Sequence, residues 1–143
     1  MSISNSFDNM TFLQKIKELQ AQIDALKAEA QAAESFNWDK APLICELNGY
    51  GWLLGPEADE EINWNGAIEW CQSVGGELPP RDILLQAYLN EDIKPLFKDG
   101  WYWSGTEFAA TTAWLQDFSN GTQASYNYKT SYSYVRAVRK YPI

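Results

Sequence analysis

The stretch from Trp101 to Arg139, WYWSGTEFAATTAWLQDFSNGTQASYNYKTSYSYVRAVR, limits the possible folds more than any other part of the chain. It is dense in aromatic rings, nearly free of acid and interrupted at short intervals by turn residues, a pattern that suits short pleated strands. Ala113 to Phe118 alternates, with Trp114, Gln116 and Phe118 on one face and Ala113, Leu115 and Asp117 on the other. Ser119-Asn120-Gly121 supplies the positive-φ residues of a tight turn. A second alternating run, Tyr134 to Arg139, closes the segment just before Pro142. The expectation is a small antiparallel meander with an aromatic core face and loops of Tyr, Ser, Asn and Thr.

Upstream signals give the rest of a compact α+β unit. Leu43–Leu47 and Gly51–Gly55 read as two strands around the Asn48-Gly49 turn, a hairpin expected to bring the two ends of the domain together. A helix starting near Trp64 buries Trp64, Ala67, Ile68, Cys71 and Val74 along one stripe and stops at Gly75-Gly76. Pro79 and Pro80 then lead into a second helix, Arg81 to Leu89, with Ile83, Leu84 and Ala87 on its inner face. Ile93 to Phe97 is expected to be a short turn.

Ahead of this unit lies a polar tail followed by a long helix. Thr11 with Gln14 three residues on resembles a capping box, and no Pro or Gly interrupts the chain between Thr11 and Ser35. Phe12, Ile16, Leu19, Ile23, Leu26, Ala30 and Ala33 follow at alternating spacings of four and three, a short heptad seam with Ile16 and Ile23 at a positions and Leu19 and Leu26 at d positions. A lone helix of this length is marginal in water, so the seam needs a partner. Ile at a with Leu at d favours a parallel dimer, a trimer stays open, and a narrow stripe of this kind can also fold back onto its own domain. The division is residues 1–36 for tail and coil and residues 37–143 for the head, with Phe36 to Pro42 as the joint.

WYWSGTE, AWLQDFSNG and YVRAVR, together with the Trp64–Cys71 helix and the Leu78-Pro79-Pro80-Arg81-Asp82 turn, resemble the signature blocks of a family of bacterial and phage domains typified by the C-terminal domain of the Legionella collagen-like adhesin. The resemblance covers roughly residues 45 to 139 and implies a C-type-lectin-like fold, two helices flanking a looped, mainly antiparallel sheet. That fold serves lectins, phage receptor-binding proteins and formylglycine-generating enzymes, so activity has to be argued from the site. The copper-holding cysteine pair of those enzymes has no counterpart after Cys71. The Glu-Pro-Asn or Gln-Pro-Asp loop of calcium-dependent lectins has none either.

The chain has no histidine, which removes the usual general base and the His-activated nucleophiles. Cys45 and Cys71 make neither a disulfide framework nor a zinc site and read as small buried hydrophobes. A non-enzymatic protein without cofactor or metal is expected. The net charge of −8 is uneven: residues 41–100 carry eleven acidic and three basic groups, residues 101–143 two and four. An acidic surface of this kind repels a phosphate backbone, so direct nucleic-acid binding is not expected. The densest acid run, Glu57-Ala58-Asp59-Glu60-Glu61, reads as a solvated loop. No apolar run is long enough to cross a bilayer, and Met1 to Asn9 is too polar for a secretory signal. Synthesis in the cytoplasm follows, with later residence in a virion or in a host cytoplasm both open.

What remains is recognition. Tyr with Ser, Asn and Gly is the palette of antibody loops, where rigid aromatic area combines with adaptable hydrogen bonding. The same palette resembles the variable regions of phage and bacterial proteins diversified on this fold by mutagenic retroelements. The residues singled out for ligand binding are Phe108, Tyr126, Asn127, Tyr128, Ser131 and Tyr132, although tyrosine is also simply a good strand residue. Trp103, Glu107, Trp114, Arg136 and Arg139 are assigned structural roles, with Glu107 expected to pair in the interior with Arg139 or Arg136. The reading is an oligomeric phage-type head that binds a protein or glycan. Its rivals are an intracellular inhibitor that uses the acidic 41–100 surface against a host nucleic-acid-binding or defence protein, and a virion assembly component.

Overall fold

A computed structural model describes residues 3–143, with side chains described for residues 11–30 and 36–143. The architecture is α+β, three helices and two small antiparallel sheets. Helix α1 (Ile3–Ser35) is already under way at Thr11, so the Thr11–Gln14 capping box is not its start and the expected tail is helical from Ile3 onward. The side chain of Ala33, the last position of the seam, lies outside the described residues. Every residue from 11 to 30 is exposed, so the apolar stripe does not rest on the head.

The head begins at Phe36, whose ring meets the Trp38 ring edge-on at 4.9 Å and packs against the core. Strands β1 (Leu43–Leu47) and β2 (Tyr50–Glu57) form the expected hairpin, and Asn48 and Gly49 both take positive φ, 56° and 81°. Helix α2 (Trp64–Ser73) starts under an Asn63 side-chain cap that accepts from the Gly66 N–H, and buries Trp64, Ala67 and Cys71. Ile68 and Val74 are only partly buried on the same stripe. Helix α3 (Arg81–Leu89) buries Ile83, Leu84 and Ala87 as expected, and a single 3-10 turn covers Lys94–Leu96.

The meander is shorter than the sequence suggested. Strands β3 (Trp101–Glu107), β4 (Ala113–Asp117) and β5 (Gln123–Ala124) form one sheet in that order. The last strand, β6 (Arg136–Pro142), leaves them and pairs with β2, giving a second sheet ordered β1-β2-β6. The hairpin therefore does hold the two ends of the head together, and Val138 bridges on its other side to Glu77.

Buried indoles tie these layers to one another. Trp38 donates to the Val74 carbonyl, Trp64 to that of Ser104, Trp103 to that of Ile62 and Trp52 to that of Leu47. Each ring thus fills core volume while its N–H finds a backbone carbonyl as acceptor. Gly55 is required by this packing: a Cβ there would fall 2.2 Å from the Trp38 ring and 2.8 Å from the Ala137 carbonyl oxygen. Cys71 lies in the core with its thiol pushed up to about 12 by burial and, secondarily, by Glu77, which makes it a packing residue and not a nucleophile. Cys45 is only partly buried, and burial also raises its thiol.

Candidate binding surface

Two loops stand side by side above the β3-β4 edge, one at residues 108–112 and one at residues 125–133. Main-chain hydrogen bonds hold them together. Lys129 N–H donates to the Thr111 carbonyl at 2.8 Å, the Lys129 carbonyl accepts from Trp64 N–H at 3.0 Å, and Ser133 exchanges a pair of bonds with Ile62. Thr112 bridges to Tyr128, and Phe108 N–H bonds the Thr112 carbonyl, so Phe108 and Tyr128 flank one residue.

The side chain of Lys129 acts as the keystone, and sequence reading missed it. Its Nζ sits 3.0 Å from Glu107 Oε2 and 2.9 Å from the Ala110 carbonyl, and lies 4.4 Å from the Trp64 ring centroid. A lone lysine in a Tyr and Ser tract gives no warning of this, because a solvated lysine would look the same.

The aromatic residues of the loops point outward. Phe108 is 61% exposed, Tyr126 73%, Tyr128 63% and Tyr132 65%, whereas Tyr134 is half-buried against Tyr102. Phe108 meets Trp114 edge-on at 5.7 Å, and the Arg81 guanidinium lies 3.4 Å over the Trp114 ring. Arg81 is fixed in turn by two bonds to Gln123 Oε1, and Gln123 donates to Gln116 Oε1. Gln116 is fully buried and donates to the Leu84 carbonyl, so this polar chain runs from the surface into the core. Asn127 and Ser131 are partly exposed, and Ser131 N–H closes a turn onto the Tyr128 carbonyl. Asn127 and Tyr132 also border a cleft of about 360 Å³ with Glu61, Asp99, Trp101 and Tyr134. The structure thus sets Phe108 and Tyr128 on either side of Thr112, and Asn127 with Tyr132 on the cleft.

The expected interior pairing of Glu107 with Arg139 or Arg136 is not what forms. Glu107 is exposed on β3 and pairs with Lys129, while both arginines ride on β6 in the other sheet. Arg139 donates to the Gly75 carbonyl at 2.8 Å and lies over the Trp38 ring. Arg136 is the cross-strand neighbour of Glu57, and its Nη1 sits 3.6 Å from Glu57 Oε1. Glu57 is therefore not part of a solvated loop; only Asp59, Glu60 and Glu61 of that run are exposed. The Glu57 carboxylate also accepts a hydrogen bond from the Tyr102 hydroxyl and pairs with Lys98 at 3.1 Å. Tyr102 Oη accepts in turn from the Lys98 backbone N–H at 2.8 Å.

Burial, and then the bond to Glu57, pushes the Tyr102 phenol well above its ordinary value of 10.0. Burial lowers Arg136, against the pull of Glu57. In the unfolded chain the phenol ionises near its ordinary value, whereas in the fold it holds its proton to higher pH. The stability it contributes is thus complete below about pH 10 and declines as pH climbs above that toward the folded value. Tyr102→Phe is expected to flatten this alkaline decline, read as the change in urea midpoint between pH 9 and pH 11. A decline as steep in the variant as in the native chain would remove Tyr102 as its origin.

The seam residues Phe12, Ile16, Leu19, Ile23, Leu26 and Ala30 are all exposed along α1. Near the head, Leu26, Glu29 and Ala30 face Glu69, Gln72 and Ser73 of α2 across an open wedge of about 600 Å³. Among the described residues no cluster of Cys, Asp and Glu is gathered to hold a metal ion, and no helix is long and apolar enough to cross a membrane. Compared with protein-family models and with curated proteins, the chain finds no match.

Proposed function

We propose that this chain is a non-enzymatic recognition protein of phage type, a C-type-lectin-like head on a coiled-coil stalk that binds a protein or glycan on another surface. The observation that carries the reading is the outward display of Phe108, Tyr126, Tyr128 and Tyr132 from two loops whose main chains are bonded together. Large exposed rings on a fixed support bring contact area with few torsions left to freeze. The bare apolar stripe of α1 supports a second copy as the occupant of the seam, in a parallel dimer or a trimer.

Changing Tyr126, Tyr128 and Tyr132 together to Ala is expected to abolish binding of the labelled protein to bacterial cells while leaving thermal unfolding within about 1 kcal/mol of the native chain, since exposed side chains contribute little to the core. Undiminished cell binding by the triple variant would reject the loop surface as the recognition site.

A further inference from the structure

We infer that the cleft beside the Tyr-rich loop receives a lysine or arginine side chain from an extended segment of a protein partner; this rests on the recognition reading above and names its ligand class. Two carboxylates reach the cleft from separate parts of the chain, Glu61 from the loop after β2 and Asp99 from the turn before β3. Neither side chain is engaged in an ion pair among the described residues, in contrast to Glu57 with Lys98 and Glu107 with Lys129. Trp101, Tyr132 and Tyr134 line the same space. A cation held between ring faces and carboxylates gains from both, and Asn127 offers an acceptor for a further N–H.

The head already uses this chemistry on itself. Lys98 Nζ lies 5.2 Å from the Tyr134 ring while paired with Glu57, and Lys129 Nζ lies over Trp64 while paired with Glu107. Across the Asp59–Glu61 ridge a second groove repeats the pattern, with Asp59 and Glu60 beside Trp70. An extended basic segment crossing the ridge would set one cation in each groove. Charge complementarity favours it further, because residues 41–100 hold eleven acidic groups against three basic ones and Asp59, Glu60, Glu61 and Asp99 all face solvent. An uncharged glycan would leave both carboxylates of the cleft unneutralised.

The test is to pan a displayed random-peptide library against the full-length chain and titrate the enriched peptides by fluorescence anisotropy against the native protein, Glu61→Gln with Asp99→Asn, and Tyr132→Ala. Peptides rich in Lys or Arg are expected, with affinity falling about ten-fold in the double carboxylate variant and falling again when salt is raised, as for two partly exposed ion pairs. Both carboxylates are exposed, so an unchanged unfolding curve separates lost binding from lost folding. No enrichment of basic residues, or basic peptides that bind the double variant equally well, overturns the inference. So does stronger carboxylate-dependent binding of a glucosamine oligosaccharide, which would make the occupant a glycan amine. Cell binding sorts the two levels: if Tyr126, Tyr128 and Tyr132 to Ala abolishes it and the carboxylate pair does not affect it, the recognition reading stands and the cation site falls.

Discussion

Replacing Glu57 with Ala is expected to destabilise the head by about 3 kcal/mol, the low end of what is lost when one partner of a buried pair is removed and the other is left unmatched. The side chain is only 13% exposed and answers three groups at once, the Tyr102 hydroxyl, the Lys98 ammonium and the Arg136 guanidinium. Without it the half-buried Arg136 keeps its charge, its Nε already lacks a partner, and a single bond to the Leu96 carbonyl remains. Lys98, more than half exposed, loses little because water screens it. At about 4 °C per kcal/mol for a domain of this size, Tm should fall by about 12 °C. Adding Arg136→Met to Glu57→Ala should recover part of the loss, because an apolar replacement of similar length removes the stranded charge. A fall below about 1 kcal/mol for Glu57→Ala, measured by urea unfolding, would show that these contacts do not hold the β2-β6 seam.

The second large effect concerns helix α1 and tests the proposed coil. Ile16→Asp with Ile23→Asp in the full chain is expected to reduce the particle to a single chain by light scattering, and to weaken attachment to a multivalent cell surface by about 10² or more. Both isoleucines lie on the bare stripe, so the substitutions place charge where a second helix would have to pack and leave the head untouched. Binding of a monovalent ligand to one head should not change. A native chain that already scatters as one molecule, or a variant that keeps the native mass, would refute the coil. Truncation is the poorer tool if it removes Phe36, since that ring packs on Trp38 and belongs to the head.

Local signals carried the parts of the fold that the sequence made legible. Asn48-Gly49 needs only its own backbone to announce a hairpin, the Trp64 helix has its stop in Gly75, and Pro79-Pro80 marks where α3 begins. The destination of the last strand was not legible. Alternation in Tyr134 to Arg139 says which residues share a face and nothing about which strand lies alongside, so neither the pairing of β6 with β2 nor that of Arg136 with Glu57 can be read from it. Gln116 was hidden for a related reason: a glutamine becomes a core residue only once α3 brings the Leu84 carbonyl over it. The loop tyrosines suit a binding surface and a strand equally well by sequence, and only the fold separates exposed Tyr126, Tyr128 and Tyr132 from half-buried Tyr134.

The loop that carries these tyrosines is anchored through peptide groups, at Lys129 to Thr111 and Trp64 and at Ser133 to Ile62, with one side chain, that of Lys129, inserted beneath. Its outline is consequently independent of the letters at 126, 128 and 132. Side-chain substitutions at those positions would leave each of these bonds in place, because the tip side chains and the anchoring peptide groups are different atoms.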